Sequence, residues 1–162
     1  MYKQHIIACY VVGVSVFLCS YCFNFSYACI ASDALTLVSI VLAVYIAVPS
    51  ALLGSTYSRI LKKSKDNKIP TQSLLGTLKK YLWKACSFGV TTLIISSYYI
   101  VRPHPLAPIM LNNKYIESID LERFFSSASL CIFSINIFFL WLITRLLLVF
   151  LFNAASNLDE KQ

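Results

Sequence analysis

Charge is what this chain has least of. Only 13% of its 162 residues are Asp, Glu, Lys or Arg, against roughly 25% in soluble domains, which excludes an ordinary water-soluble fold. Histidine is scarce as well: His5 and His104 are the two in the sequence, and no HExxH, GxSxG, P-loop or GxGxxG pattern occurs. Hydrolytic, metal-dependent and nucleotide-binding chemistries need titratable or metal-binding groups converging in a pocket. Those classes have no support here, no catalytic or metal-binding residue stands out, and no cofactor is implied. The six Cys are scattered through apolar runs and lack the polar-loop spacing of a disulfide-stapled secreted domain. Disorder is excluded by the 58% hydrophobic content, because disordered chains are poor in apolar side chains.

What is present in abundance is uninterrupted apolar sequence, with a mean hydropathy of +0.70. In a bilayer the backbone must satisfy its own hydrogen bonds, so a spanning segment is a helix of about 20 residues or a strand of a closed barrel. The runs are too long and too unalternating for strands. The expectation is an all-α polytopic membrane protein, a single domain of four transmembrane helices at about residues 6–25, 34–54, 83–101 and 124–144. A helical hairpin over 55–82 and a loop over 102–123 complete it. The first segment, about twenty residues long, exceeds the apolar stretch of a cleaved signal, about 7 to 15 residues, and is read as a retained helix.

Orientation follows from the 14 Lys and Arg, because short cytoplasmic loops retain basic residues during insertion. Arg59, Lys62, Lys63, Lys65, Lys68, Lys79, Lys80 and Lys84 lie between the second and third segments. Lys3, Arg145 and Lys161 fall on the same side, and Arg102, Lys114 and Arg123 on the other. Both termini are therefore expected in the cytoplasm. Tyr57, Tyr81 and Trp83 at inner ends, and Tyr21, Tyr27, Tyr98 and Tyr99 at outer ends, are expected at the membrane interfaces, where amphipathic rings settle.

Helical patterning continues past the spans. Leu53, Tyr57, Ile60 and Leu61 share a face beyond the second span, and Leu74, Leu75, Leu78 and Leu82 form an apolar stripe running back to Ser73, both at helical spacing. Residues 66–73, with Pro70, read as a turn. The last pattern, 124–152, would be about 43 Å long at ~1.5 Å per residue, against a hydrocarbon thickness of about 30 Å. The inner ends of the second, third and fourth helices are therefore expected to project into the cytoplasm as a stalk. The alternative is a last helix that starts near Leu130 and keeps its apolar exit in lipid. That frame would pull Arg145 well inside, at about 2.5 to 3.5 kcal/mol, whereas the earlier start leaves Arg145 at the headgroups as a snorkelling anchor.

Small residues recur every fourth position in the second helix: Ser39, Ala43, Ala47, Ala51 and Ser55. The third carries a shorter stripe of Ala85, Gly89, Thr92 and Ser96. Close backbone approach through small residues supplies much of the helix association energy in lipid. One stripe is expected inside the protomer and the other between protomers of a trimer or tetramer, or both inside one protomer. Pro49 removes the hydrogen bond to the Tyr45 carbonyl and is expected to kink the second helix. In the fourth helix Ser127, Cys131 and Ser134 share a face, and Asn136 is expected to need an interhelical partner. Such groups either line a pore or bond one another.

Two further surfaces carry partner expectations. The basic hairpin attracts anionic headgroups, at about 1 kcal/mol per Lys or Arg near the surface, or an acidic face of a soluble protein; sequence-specific nucleic-acid binding is not implied. The outer loop, with Arg102, His104, Lys114, Glu117 and Asp120, is the one substantial surface on its side. Cys19-Ser-Tyr-Cys22 near the outer end of the first helix, within a plan of four helices, resembles the disulfide oxidases of the DsbB type. That family needs a second cysteine pair in the second outer loop, and 102–123 contains no Cys.

Three features together resemble another family. They are the Asp33-Ala-Leu-Thr-Leu-Val-Ser-Ile-Val-Leu-Ala-Val-Tyr-Ile-Ala entry to the second helix, the basic hairpin from Arg59 to Lys84, and the apolar exit of the fourth helix with Arg145. The plan is similar to that of the small membrane subunits of bacterial anti-phage systems, the KwaA family of the Kiwa system. The resemblance implies a homotetrameric inner-membrane sensor of phage attack that docks a soluble, DNA-binding cytoplasmic partner, KwaB. The stalk and basic hairpin would be its docking surface and the outer loop its sensing surface. Two other expectations stand beside it, a small pore or holin-like permeability protein and a thiol oxidoreductase.

Overall fold

The computed structural model describes residues 2–53, 58, 61–62, 73–101 and 121–159, with side chains on the last helix to Val149. Four long helices carry the described chain: α1 (Lys3–Phe23), α2 (Ala31–Leu53), α3 (Leu74–Val101) and α4 (Leu121–Asp159). A 3-10 turn, Tyr27–Ile30, leads into α2. All four are long and apolar enough to cross a membrane, and the protein is on that ground an integral membrane protein.

The helix ends follow local chemistry. α1 stops at Asn24, which adopts a left-handed conformation with φ 55, a geometry Asn tolerates better than most residues. Its backbone N–H and that of Phe25 both reach the Ser20 carbonyl. α2 starts at Ala31, ahead of the expected 34, because the 3-10 turn winds directly into it; Asp33 sits in its first turn, where a carboxylate complements the helix dipole. Pro49 does not end α2, which continues to Leu53. α3 opens on a Ser73 cap, whose Oγ accepts from the Gly76 N–H at 3.2 Å and whose carbonyl accepts from the Thr77 N–H at 3.0 Å. The stripe Leu74, Leu75, Leu78 and Leu82 therefore lies on one continuous helix with the span. α4 starts at Leu121 and not near Leu130, and its 39 residues make a rod about 58 Å long.

The helices stand in an open arrangement. α4 lies between α1 and α3, and α2 packs on α3, touching α4 only marginally; among the described residues α1 and α2 do not meet. The principal core joins α2, α3 and α4 through Val41, Tyr45, Leu78, Tyr81, Ala85, Phe139, Leu142 and Leu146. On α2 the buried residues are Ala31, Ala34, Val38, Val41 and Tyr45, the alternating three-and-four spacing of a helix-packing seam. A second, smaller core surrounds Tyr27 at the opposite end.

Two glycines set the closest approaches. A Cβ on Gly89 would fall 2.8 Å from Leu42 Cδ2, and one on Gly13 would fall 3.1 Å from Ile135 Cδ1 and 3.2 Å from Cys131 Sγ. Gly89 thus brings α3 against α2, and Gly13 brings α1 against α4. Small residues permit such contact where lipid supplies no hydrophobic drive for pairing.

Candidate functional site

The two small-residue stripes have opposite fates. Ala85, Gly89, Thr92 and Ser96 are all buried on the inner face of α3. Ser39, Ala43, Ala47 and Ala51 of α2 are all exposed, turned away from α3 and α4. Ser55 lies outside the described residues, as do Arg59, Lys63, Lys65, Lys68, most of the 66–73 turn, and the outer-loop positions Arg102, His104, Lys114, Glu117 and Asp120.

Polar residues within the helices mostly bond their own backbone. Thr36, Ser39, Ser50, Ser87, Thr91, Thr92, Ser129 and Thr144 each donate to the carbonyl four residues earlier, at 2.7 to 3.1 Å. This local bonding hides a hydroxyl without a partner helix. The buried Ser20 and Ser127 hydroxyls have no partner among the described residues, and Asn136 is a larger exception. It is 1% exposed, and its Oδ1 has no hydrogen-bond partner among the described residues. The expected interhelical bond of its side chain is replaced by a long one to its backbone carbonyl, which accepts from Tyr45 Oη at 3.4 Å. Arg145 is exposed, with its guanidinium over the Trp141 ring at 5.5 Å, a placement suited to reaching outward along the helix.

At the end where α1 leaves toward α2, Tyr27 is the hub. Its N–H donates to Ser126 Oγ at 2.6 Å, its hydroxyl shares a hydrogen bond with Ser96 Oγ at 2.7 Å, and its ring meets those of Tyr99 and Phe133 edge-on. Ser126 Oγ also donates to the Phe25 carbonyl at 3.1 Å. Arg123 donates from Nη2 to the Cys22 carbonyl at 3.1 Å and lies over the Tyr21 ring. The interfacial placement expected for Tyr27 is wrong: it is fully buried, because its phenol has a dry hydroxyl partner on α3. Tyr81 departs from expectation in the same way. It is also fully buried, its Oη accepting from the Tyr2 N–H at 3.0 Å and lying 2.7 Å from His5 Nδ1. Both clusters escaped sequence reading because their partners are separated by 69 to 99 positions, with no shared motif.

Lys79, Lys80 and Lys84 are exposed along the first half of α3, and Lys62 is exposed on a helical stretch before it. Between α1 and α3, floored by α4, runs a groove of about 920 Å³. Ile6, Tyr10 and Val14 line it from α1, Trp83 and Phe88 from α3, and Ile135 from α4, with the three lysines along its α3 rim. Cys19 and Cys22 are exposed on α1 and carry free thiols. Among the described residues no three of His, Cys, Asp and Glu come together as a metal site.

No family model, curated protein or solved structure matches this chain. The functional reading therefore rests on the geometry and charge of the chain itself.

Proposed function

We propose that this protein is a non-enzymatic, homo-oligomeric inner-membrane scaffold, with both termini in the cytoplasm, that docks a soluble partner through its lysine-rich end. Its setting would be bacterial anti-phage defence, the role the KwaA family resemblance implies, with KwaB-like chemistry in the partner. The observation that carries the reading is the length of α4. A helix of 39 residues is about 58 Å long and cannot be contained in a hydrocarbon slab of about 30 Å, even at the usual tilt of about 20°. α3, with 28 residues, reaches about 42 Å. The rods stand beyond the bilayer at the end where Lys62, Lys79 and Lys80 are exposed, which offers a rigid basic platform to an acidic protein face. The outward stripe Ser39, Ala43, Ala47 and Ala51 supports a trimer or tetramer, since small residues permit close helix contact between copies.

The test is copurification of the chain with its soluble partner from the native host. Reversing Lys62, Lys63, Lys79 and Lys80 to Glu is expected to abolish the association while leaving membrane insertion intact; retention of the partner by the reversed protein refutes the reading. A second reading, a small pore, is favoured by one observation, the buried and unpartnered Asn136 amide oxygen. It predicts ion or dye leakage from vesicles that Asn136→Leu abolishes, and a tight vesicle with the unaltered protein refutes it.

A further inference from the structure

The groove between α1 and α3 runs along both helices, and its wall is mostly apolar apart from the lysines on its α3 rim. In a bilayer such a gap does not stay empty and does not fill with water, because unbonded water in hydrocarbon is strongly disfavoured. Acyl chains or another helix must occupy it. From Gly76 to Phe88 the α3 wall rises about 18 Å, enough to carry it from the lysine level, where Tyr81 meets Tyr2 and His5 at the start of α1, into a hydrocarbon leaflet about 15 Å deep as half the bilayer core. Its volume of about 920 Å³ lies at the upper end of small-ligand sites, about 300 to 1,000 Å³.

Charge decides between the occupants. Gly76, Lys80, Lys84 and Phe88 succeed one another at one-turn intervals on α3, with Lys79 beside them, and among the described residues no carboxylate lines the groove. Gly76 puts no side chain across the mouth, and a Cβ there would meet nothing nearer than Ser73 Oγ at 3.3 Å. A helix from a second copy would bring its own basic end to the same level, since the chain carries a net charge of +7 with the lysines concentrated around this hairpin. A phosphate would neutralise the rim instead. Lysine stems can run along apolar surface while their ammonium groups reach a headgroup.

We infer that the groove is a seat for an anionic phospholipid of the lysine-side leaflet, its acyl chain between α1 and α3 over α4 and its phosphate held by Lys79, Lys80 and Lys84. The inference needs only the membrane setting; Lys79 and Lys80 are shared with the proposed docking end, while Lys84 and the apolar lining from α1 and α4 belong to the groove alone.

Trp83 lines the groove, while Trp141, the other tryptophan, is absent from its lining. Their fluorescence separates the seat from the general lipid surface. The full chain, as Trp141→Phe or Trp83→Phe, is reconstituted into phosphatidylcholine vesicles containing phosphatidylglycerol, with bromine on the acyl chains of one lipid or the other. Brominated phosphatidylglycerol is expected to quench Trp83 at a mole fraction at least about fivefold below that of brominated phosphatidylcholine, with about fivefold lost per lysine changed to Gln. Trp141, whose ring lies under the Arg145 guanidinium, should show a preference that neither the lysine changes nor Val14→Phe alters, and it reports insertion of every variant. Val14→Phe, which keeps all charges but narrows the deep end of the groove, should also lower the preference at Trp83. Equal quenching by both lipids overturns the seat. So does a lysine-dependent preference untouched by Val14→Phe, which would be surface attraction alone. Protection of Trp83 from both lipids by a second copy of the chain overturns it as well.

Discussion

The two ends of this helix set are built on different principles. At the Tyr27 end, α1, the 3-10 turn, α3 and α4 are tied by buried hydrogen bonds from Tyr27 to Ser96 and Ser126 and by Arg123 on the Cys22 carbonyl. At the lysine end, α1 and α3 are joined through Tyr81, His5 and Tyr2, but a wide apolar groove separates them along the adjoining length. A tied end restrains the angles between helices. An end with a groove leaves surface for something else to fill. In lipid, where apolar contact alone gives helices little reason to choose one another, polar ties and close backbone contact do the fastening, and here they are unevenly distributed.

That contrast can be broken, beginning with its strongest element. Tyr27→Ala removes a fully buried ring and its hydroxyl bond to Ser96, leaving the backbone bond to Ser126 in place, and should cost about 3 to 5 kcal/mol, the range for deleting a buried aromatic. The measurement is thermal or denaturant unfolding in detergent, and a loss below about 1 kcal/mol would mean that the Tyr27 end is not the fastened one. Gly89→Ala forces Leu42 to yield and should cost about 1 to 3 kcal/mol by overpacking. Gly76→Ala, at the open mouth, should instead stabilise α3 by about 0.5 to 1 kcal/mol, so the sign of the glycine effect reports which end is packed. Tyr81→Phe keeps the ring but loses its hydroxyl contacts, for about 1 kcal/mol, and should loosen the amino terminus in hydrogen exchange before it changes global stability. Smallest in stability is Ala43→Leu with Ala47→Leu on the outward stripe: unfolding should hardly change, while chemical cross-linking between copies falls if that stripe is the oligomer face.

Sequence reading goes furthest where one segment carries its own signal. Four apolar runs produce four helices, Ser73 caps α3 just where the Leu stripe begins, and the start of α4 at Leu121 agrees with the cost of dragging Arg145 into lipid. It fails for Tyr27 and Tyr81. An aromatic near the end of a span has the same local signature whether it sits among headgroups or inside the protein. What separates the two cases is a hydroxyl or amide tens of residues away, and neither Ser96 nor Ser126 announces that partnership. The groove was equally illegible, because the lysines read as a charge run on a hairpin and their apolar neighbours on α1 belong to a different segment.

Composition and run length by themselves determined that the chain is helical and belongs in a membrane, because a backbone in hydrocarbon has to satisfy its own hydrogen bonds and about 20 apolar residues in succession leave the helix as its form. The tertiary structure alone decided which faces meet. In lipid both sides of a helix are apolar, so neighbours are selected by shape: Gly89 against Leu42, Gly13 against Ile135, Tyr27 against Ser96. Shape complementarity is a property of two surfaces together and is written in neither one.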